Sequence, residues 1–352
     1  MSDATRPVLA FTMGDPAGVG PEITMKVLTA DAGDRQYVPL LVADLVTLEE
    51  AGRLIGSPIE LVRIADPADA PDEPNRVGVI EPPAMPAGPF PRGEIDARCG
   101  DAAFACIAFA IELAMQDKAA AVITNPIHKK SMNLAGHHYA GHTEIFRDLT
   151  GSSSSAMMLV ADELKVIHVT THIPLREASQ RITPERIVEV TEMANATMKS
   201  LGIEKPRIGM CGLNPHASDG GLFGDEEETK ILPAIARLRA KGIDVSDPLP
   251  GDTIFSLAKG GAFDCVVAQY HDQGHIPVKL LGFVYDAEQG AWTSVQGINV
   301  TLGLPILRSS VDHGTAFDTA WQGNANDVSL RHAVDFATKL VGEGKGATLR
   351  AG

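Results

Sequence analysis

Short apolar runs rich in β-branched residues recur along the whole chain, and most are followed by a stretch with helical signals. That alternation is the pattern of βαβ units and of a mainly parallel sheet. It also says where chemistry belongs, because open α/β sheets place ligands beyond the carboxyl ends of their strands. Three of the runs end in a histidine. Phe263–Gln269 stops at Tyr270-His-Asp-Gln-Gly-His275, Leu164–Thr171 at His172-Ile-Pro174, and Arg207–Leu213 at Asn214-Pro-His216. Two histidines and an aspartate at one strand end are costly to bury unpaired. Either each histidine caps its own strand through a backbone hydrogen bond, or His172, His216 and His271 converge on a divalent ion with an open coordination position.

A chain of 352 residues suits about two domains. Val8–Thr12 reads as a strand running into Met13–Glu22, with a helix over 23–28 whose first turn accepts Pro21. The Gly-rich turn frees N–H groups near a helix start. It is neither a Gly-x-Gly-x-x-Gly fingerprint nor a Walker loop, so a plain tight turn is an equal reading. Strands over 38–43 and 59–64 flank a helix over 45–55, and Asp66–Pro91, rich in Pro, Ala and Asp, reads as irregular loop. A helix over 97–117 precedes a strand over 120–124 that ends at Asn125-Pro126. Gly136–Glu144 is a Gly-punctuated turn before a helix over 144–149. It is either a structural loop or a site loop offering His142 and Thr143.

Runs 156–161 and 164–171 read as an antiparallel hairpin, a hint of a second domain. Thr183-Pro184 starts a helix that reaches residue 201. Asp225 is expected to cap a helix ending at Lys241, with its acidic first turn as a solvated face. Lys279 lies close enough in sequence to His271 to share its site. Arg308 ends an apolar strand; beside a metal its fork would suit a carboxylate or phosphate, and otherwise it is a surface residue. Asp312–Asp318 is expected to open a helix, and 326–340 to form the last one.

Net charge is −15 without a long Lys/Arg block, which argues against nucleic acid and anionic membranes as partners. Cys99, Cys106, Cys211 and Cys265 form no Cys-x-x-Cys pair and read as reduced core thiols. The segment before Val8 has no apolar signal core, and no apolar run is long enough to span a bilayer, so a cytoplasmic location is expected.

The ordered motifs Met13–Glu22, Gly141-His-Thr-Glu144, Thr170-Thr-His172, Gly212-Leu-Asn-Pro-His-Ala217, Tyr270–Gly274 and Ser310-Val-Asp-His-Gly-Thr-Ala316 resemble those of the 4-hydroxythreonine-4-phosphate dehydrogenase family, over nearly the whole chain. The resemblance implies an α/β, two-domain isopropylmalate dehydrogenase-like fold, with mixed, mostly parallel sheets and a cleft between domains. Residues 1–140 plus about 300–352 would form the cofactor-side domain. Residues 141–299 would carry the metal and substrate site and the dimer interface. It implies NAD or NADP and one divalent metal (zinc, magnesium, cobalt or manganese) as cofactors, with His172, His216 and His271 as ligands. His142, Thr143, Lys279, Asn299 and Arg308 would contact a phosphorylated substrate. Lys279, Asp272 and Asp252 would serve catalysis, and the His313-Gly314-Thr315-Ala316 turn would hold the dinucleotide. The implied reaction is NAD(P)-dependent oxidative decarboxylation of a phosphorylated 3-hydroxy acid, most like 4-phosphohydroxy-L-threonine to 3-amino-2-oxopropyl phosphate plus CO2, by a homodimer with its active site at the subunit interface.

Three departures bear on the substrate. His275-Ile-Pro277 stands where the pyridoxine enzymes carry Leu-Pro, Val284–Gln296 looks inserted, and Asn125 replaces a small residue. The first resembles relatives acting on 4-phospho-D-threonate or 4-phospho-D-erythronate, and also a dihydrodiol dicarboxylate dehydrogenase. The retained His142, Thr143 and Arg308 favour a phosphorylated substrate.

Overall fold

A computed structural model of the chain describes residues 6–288 and 291–342, with only the backbone of 291–295. The sequence readings for the extreme N-terminus and for the last ten residues lie outside the described residues. The rest falls into two compact units, one running to Ser153 and resuming at Leu304, the other spanning Ser154–Gly303.

The first unit alternates strand and helix as the sequence pattern dictates: β1 (Val8–Thr12), α1 (Gly20–Asp31), β2 (Val38–Val42), α2 (Leu45–Ile55), β3 (Glu60–Arg63), β4 (Arg76–Ile80), α3 (Ala97–Met115), β5 (Ala121–Thr124), α4 (Lys129–Leu134) and α5 (His142–Leu149). The second unit follows with β6 (Ala156–Ala161), β7 (Leu164–His168), α6 (Leu175–Arg181), α7 (Pro184–Ser200), β8 (Arg207–Cys211), α8 (Leu232–Ala240), β9 (Asp244–Leu249), α9 (Ile254–Lys259), β10 (Cys265–Ala268), α10 (His271–Gly282), β11 (Phe283–Asp286), β12 (Ala291–Val295) and β13 (Ile298–Leu302). The chain then returns to the first unit through β14 (Leu307–Val311) and α11 (Val328–Gly342).

In the first unit the strands run β3-β4-β2-β1-β5-β14, every described pair parallel. Both faces need covering in such a sheet, and β1, β2 and β5 are accordingly apolar and buried along their lengths. In the second unit the order is β13-β6-β7-β10-β8-β9. The β13/β6 and β6/β7 pairs are antiparallel, the latter being the expected hairpin. The β7/β10, β10/β8 and β8/β9 pairs are parallel. So β7, β10 and β8, the strands that lead to the three histidines, are neighbours whose carboxyl ends share one edge. One face of this sheet presents Met157, Leu159, Ala161, Leu164, Val166, Val266 and Ala268 to Val278 of α10 and to Ile254, Phe255 and Ala258 of α9. Each fully buried aliphatic side chain there stabilises by roughly 1.5–3 kcal/mol.

Three sequence expectations are corrected. The supposed loop over Asp66–Pro91 contains β4, an interior strand between β3 and β2. Its Gly78 obscured it. A Cβ there would come within 2.8 Å of Ile64 Cδ1, so the strand needs glycine where propensity disfavours it. The helix expected from Asp225 begins as a π-turn over Glu227–Ile231 and becomes α-helical only at Leu232. Pro233 lacks the N–H that a regular turn would donate to Thr229, and the wider turn avoids that mismatch. Asp312–Asp318 opens no helix. Ala316, Trp321 and Gly323 hold left-handed backbone, and α11 starts only at Val328, whose N–H bonds Asn326 Oδ1. The stretch read as an insertion after Phe283 folds as the antiparallel β11–β12 hairpin.

Candidate active site

The edge where β7, β10 and β8 end is held by two glutamines. Gln269, fully buried, donates from Nε2 to Cys211 O (2.7 Å), and its own N–H bonds Gln273 Oε1 (2.7 Å). Gln273 Nε2 in turn donates to Gly212 O (2.8 Å). Thr170 Oγ1 donates to Gln269 O (2.8 Å), and Val169 N to Ala268 O (2.8 Å). The loops after all three strands therefore leave the sheet from fixed points, with their backbone groups satisfied.

From this edge His271 emerges at the first position of α10, and His172 stands in the bend after β7. Their rings lie 5.7 Å apart between centroids, inclined at 45°. They share the wall of a cavity of about 260 Å3 with Thr170, Thr171, Tyr270 and Asp272. His271 Nδ1–H donates to Asp272 Oδ1 (2.6 Å), which leaves its Nε2 lone pair outward.

His216 is not gathered with this pair. It sits exposed beyond β8, its ring 6.1 Å from Phe223, in a segment where His216, Ala217, Ser218 and Asp219 all have positive φ. Among the described residues no group of three or more His, Cys, Asp or Glu is arranged as a metal cluster. The donor chemistry of His172 and His271, two imidazoles on the wall of one cavity, still fits two ligands of a divalent ion.

In the acidic run Asp225–Glu228 the outer members Asp225 and Glu228 are exposed as expected, but the inner pair is engaged by the chain. Glu227 is buried and accepts from Leu213 N (2.7 Å), Asn214 N (2.8 Å) and Asn214 Nδ2 (2.8 Å), while Glu226 takes a second bond from Asn214. These carboxylates anchor the loop that displays His216. On α10, His271, His275 and Lys279 recur every fourth residue and so share one face. Lys279 Nζ lies 4.4 Å from the Phe283 ring centroid. Asn299 is on β13 opposite Leu159, and Asp252 is exposed in the turn before α9.

Sequence reasoning passed over His168, buried within the apolar run of β7. Its Nε2 faces His275 Nδ1 at 3.1 Å, and His275 stacks on His271 with centroids 3.6 Å apart. Burial lowers both pKa values, His168 to about 3 with neighbouring His275 adding to the effect, and His275 to about 4 with neighbouring His271 adding to it. The missed signal was period two: His168 follows Leu164 and Val166 on the face that α10 covers.

The first unit carries a separate group. Arg308 is buried on β14 rather than exposed, and its Nε and Nη2 donate to Thr124 Oγ1 (3.1 and 2.8 Å). Its guanidinium lies 5.7 Å from the Phe146 ring centroid on α5. Burial lowers its pKa to about 9, which Glu144 partly offsets, so it stays cationic at neutral pH. His142 opens α5 with its Nε2 buried and without a hydrogen-bond partner among the described residues; burial, then Arg308, drives its pKa well down. Thr143 follows at the helix start, where N–H groups favour an anion.

The His313–Ala316 turn packs on the Gly-rich turn of β1–α1. Val19 N donates to Thr315 O (3.0 Å), and a Cβ on Gly18 would come within 2.9 Å of Thr315 Cβ, so the turn needs glycine. His313 Nδ1 bonds Gly314 O (2.9 Å). Asn125 is buried and donates to Thr12 O (2.8 Å) and Thr24 Oγ1 (2.7 Å), joining the end of β5 to β1 and α1.

A protein-family model described as "Pyridoxal phosphate biosynthetic protein PdxA" matches residues 35–337. The chain belongs to the PdxA family. Among PdxA relatives, the D-threonate 4-phosphate dehydrogenase of Cupriavidus necator is 46% identical over 335 residues, which cover 95% of this chain and 97% of that one. The 4-hydroxythreonine-4-phosphate dehydrogenase of Beijerinckia indica is 43% identical over 332 residues, 94% of each chain. The crystal structure of a 4-hydroxythreonine-4-phosphate dehydrogenase from Burkholderia phymatum matches with a TM-score of 0.81 at 44% identity, covering 95% of this chain and 98% of that one. Among the described residues of this PdxA member, no helix is long and apolar enough to cross a membrane.

Proposed function

We propose that the chain, a dehydrogenase like its relatives, oxidises the C3 hydroxyl of D-threonate 4-phosphate with a nicotinamide dinucleotide, NAD or NADP, and releases CO2. The observation that carries this reading is the 46% identity, over 95% of the chain, to an enzyme of that name. The 4-hydroxythreonine 4-phosphate reading is supported by a relative 43% identical and stands second.

In this reading the first unit's Arg308, with His142 and Thr143 at the start of α5, recognises the phosphate; buried, desolvated charge and N–H groups suit that task. The His313–Ala316 turn holds the dinucleotide. His172 and His271 bind a divalent ion (zinc, magnesium, cobalt or manganese), with His216 the third donor, contributed within a homodimer. When bound, that ion supplies Lewis acidity for the secondary hydroxyl and for the enolate left by decarboxylation.

The remaining steps belong to side chains. Asp272 accepts from His271 Nδ1 and keeps its Nε2 lone pair exposed. Lys279, on the same face of α10 as His271, takes the hydroxyl proton as the C3 hydride leaves for the nicotinamide, and Asn299 holds the acid end. The 3-oxo acid then loses CO2, and the electron pair of the broken C–C bond is protonated to give a keto phosphate.

The test is a panel: D-threonate 4-phosphate, D-erythronate 4-phosphate, 4-phosphohydroxy-L-threonine and a dihydrodiol dicarboxylate, each with NAD and NADP, with and without chelator. D-Threonate 4-phosphate is expected to give the highest kcat/KM by NADH or NADPH absorbance, and the chelator to abolish it. Turnover of the dihydrodiol alone would overturn the proposal.

A further inference from the structure

Behind His172 and His271 lies a second pair of imidazoles that no role above uses. His168 Nδ1 is 3.2 Å from Met157 O, and a carbonyl only accepts, so that nitrogen carries the proton. The neutral ring therefore presents Nε2 as an acceptor. Against it stands His275 Nδ1 at 3.1 Å, which also faces His271 O at 2.9 Å. Both neighbours are acceptors, so His275 Nδ1 is a donor. The direction runs from His275 through His168 to a main-chain carbonyl of β6, with no freedom to reverse.

The fit is mutual. A Cβ at position 274 would overlap His168 Nε2 and stand 2.8 Å from Val166 Cγ1, so α10 can lie over His168 only with Gly274 beneath it. His275, so fixed, stacks on His271 at 3.6 Å with the planes 15° apart. Of its other neighbours, Asp272 has a side chain that is 71% exposed and so holds a ring weakly, and the His172 ring stands further off at 5.7 Å between centroids. The orientation of His271 accordingly depends on the ring under it.

We propose that His168 and His275 are positioning residues: a buried hydrogen-bonded pair that sets the plane of the His271 imidazole and aims its Nε2 into the cavity. The proposal deepens the reading of His271 as a metal ligand and rests on that reading for its metal readout alone.

The experiment compares His168→Leu, which removes the acceptor for His275, with His168→Gln, which restores a side-chain acceptor. Three readouts are taken: kcat and KM with D-threonate 4-phosphate, cobalt(II) absorption on titrating the metal-free protein, and long-range 15N NMR of the histidines. Loss of such a supporting partner typically lowers metal affinity or activity by about 10–100-fold. His168→Leu is therefore expected to lower kcat and cobalt affinity at least about tenfold with KM little changed, and His168→Gln to recover most of the loss. In the wild type, 15N shifts should show His275 protonated on Nδ1.

Equal losses in both variants, no loss in either, or a His275 protonated on Nε2 alone would each overturn the proposal. If His168→Leu fails to fold, His275→Asn takes its place. It keeps a donor toward His168 but removes the ring under His271, and unchanged kcat would overturn the proposal. If the wild type binds no cobalt, the metal reading fails, while the NMR and kcat arms still decide the positioning role.

Discussion

Asp15, in the turn after β1, is fully buried. One of its carboxylate oxygens accepts from Ala17 N (2.9 Å), and the other meets no hydrogen-bond partner among the described residues. Burial raises its pKa from 3.8 to about 6, against the lowering pull of the Ala17 N–H. Between those values the folded chain binds more protons than the unfolded one, so stability falls as pH rises through that window. The penalty is absent below about pH 4 and complete above about pH 6, where a shift of this size corresponds to roughly 2–3 kcal/mol. Asn at 15 keeps the acceptor for Ala17 and removes the charge. Asp15→Asn should therefore be more stable than wild type by about 1–3 kcal/mol at pH 7.5, with the gain vanishing near pH 4. Urea midpoints across that range check this, and a gain independent of pH would refute it.

At the level of elements, the loop after β8 shows how strain is held. Four successive non-glycine residues from His216 to Asp219 have positive φ, each at a disadvantage of roughly 1–2 kcal/mol. The Glu227 carboxylate offsets this by accepting from Leu213 and Asn214. Glu227→Ala would strand those donors and should destabilise the second unit by about 2–4 kcal/mol. The change would read as a lower urea midpoint together with faster amide exchange over 213–220; an unchanged midpoint would show the loop holds itself.

Glu227 also marks where the sequence was opaque. A run Asp-Glu-Glu-Glu looks solvated because nothing local says that one of its members turns inward to a loop 13 residues back. β4 was hidden in the same way: its glycine is required by Ile64, a contact that only the folded sheet creates. His168 was hidden because a polar residue inside an apolar run leaves no mark on hydrophobic pattern alone. What could be read was local and periodic. The buried strands, the Thr183 cap, the 156–168 hairpin and the polar clusters at strand ends all follow from chemistry within a few residues. The junction of His313–Ala316 with the Gly-rich turn, some three hundred residues apart in sequence, was not legible, because nothing local to either turn points to the other.

At the scale of the whole molecule, the second unit leaves apolar side chains outside. Ile276 and Leu280, one turn apart on α10, are 64% and 79% exposed, and Val284 and Tyr285 of β11 are more than half exposed. A stripe of this kind suits a second copy related by two-fold symmetry, in which each such residue is used twice. Burying one leucine side chain is worth about 1.5–3 kcal/mol, and a buried unpaired carboxylate would reverse that gain at both symmetry-related positions. For the homodimer proposed above, Leu280→Glu is expected to give a monomer in light scattering and to abolish turnover, with the melting of each unit unchanged. A dimeric, active Leu280→Glu would exclude this surface from the interface.

The two glutamines that staple the end of β10 to the end of β8 carry a wider consequence. Gln269 and Gln273 grip main-chain carbonyls, which every amino acid possesses, so the frame is indifferent to which side chains decorate the loops above it. Thr171, Ile173 and Leu175 on the cavity wall can therefore be exchanged without unseating the imidazoles. In such a scaffold the lining of the cavity can drift among descendants while the strand ends beneath it stay put.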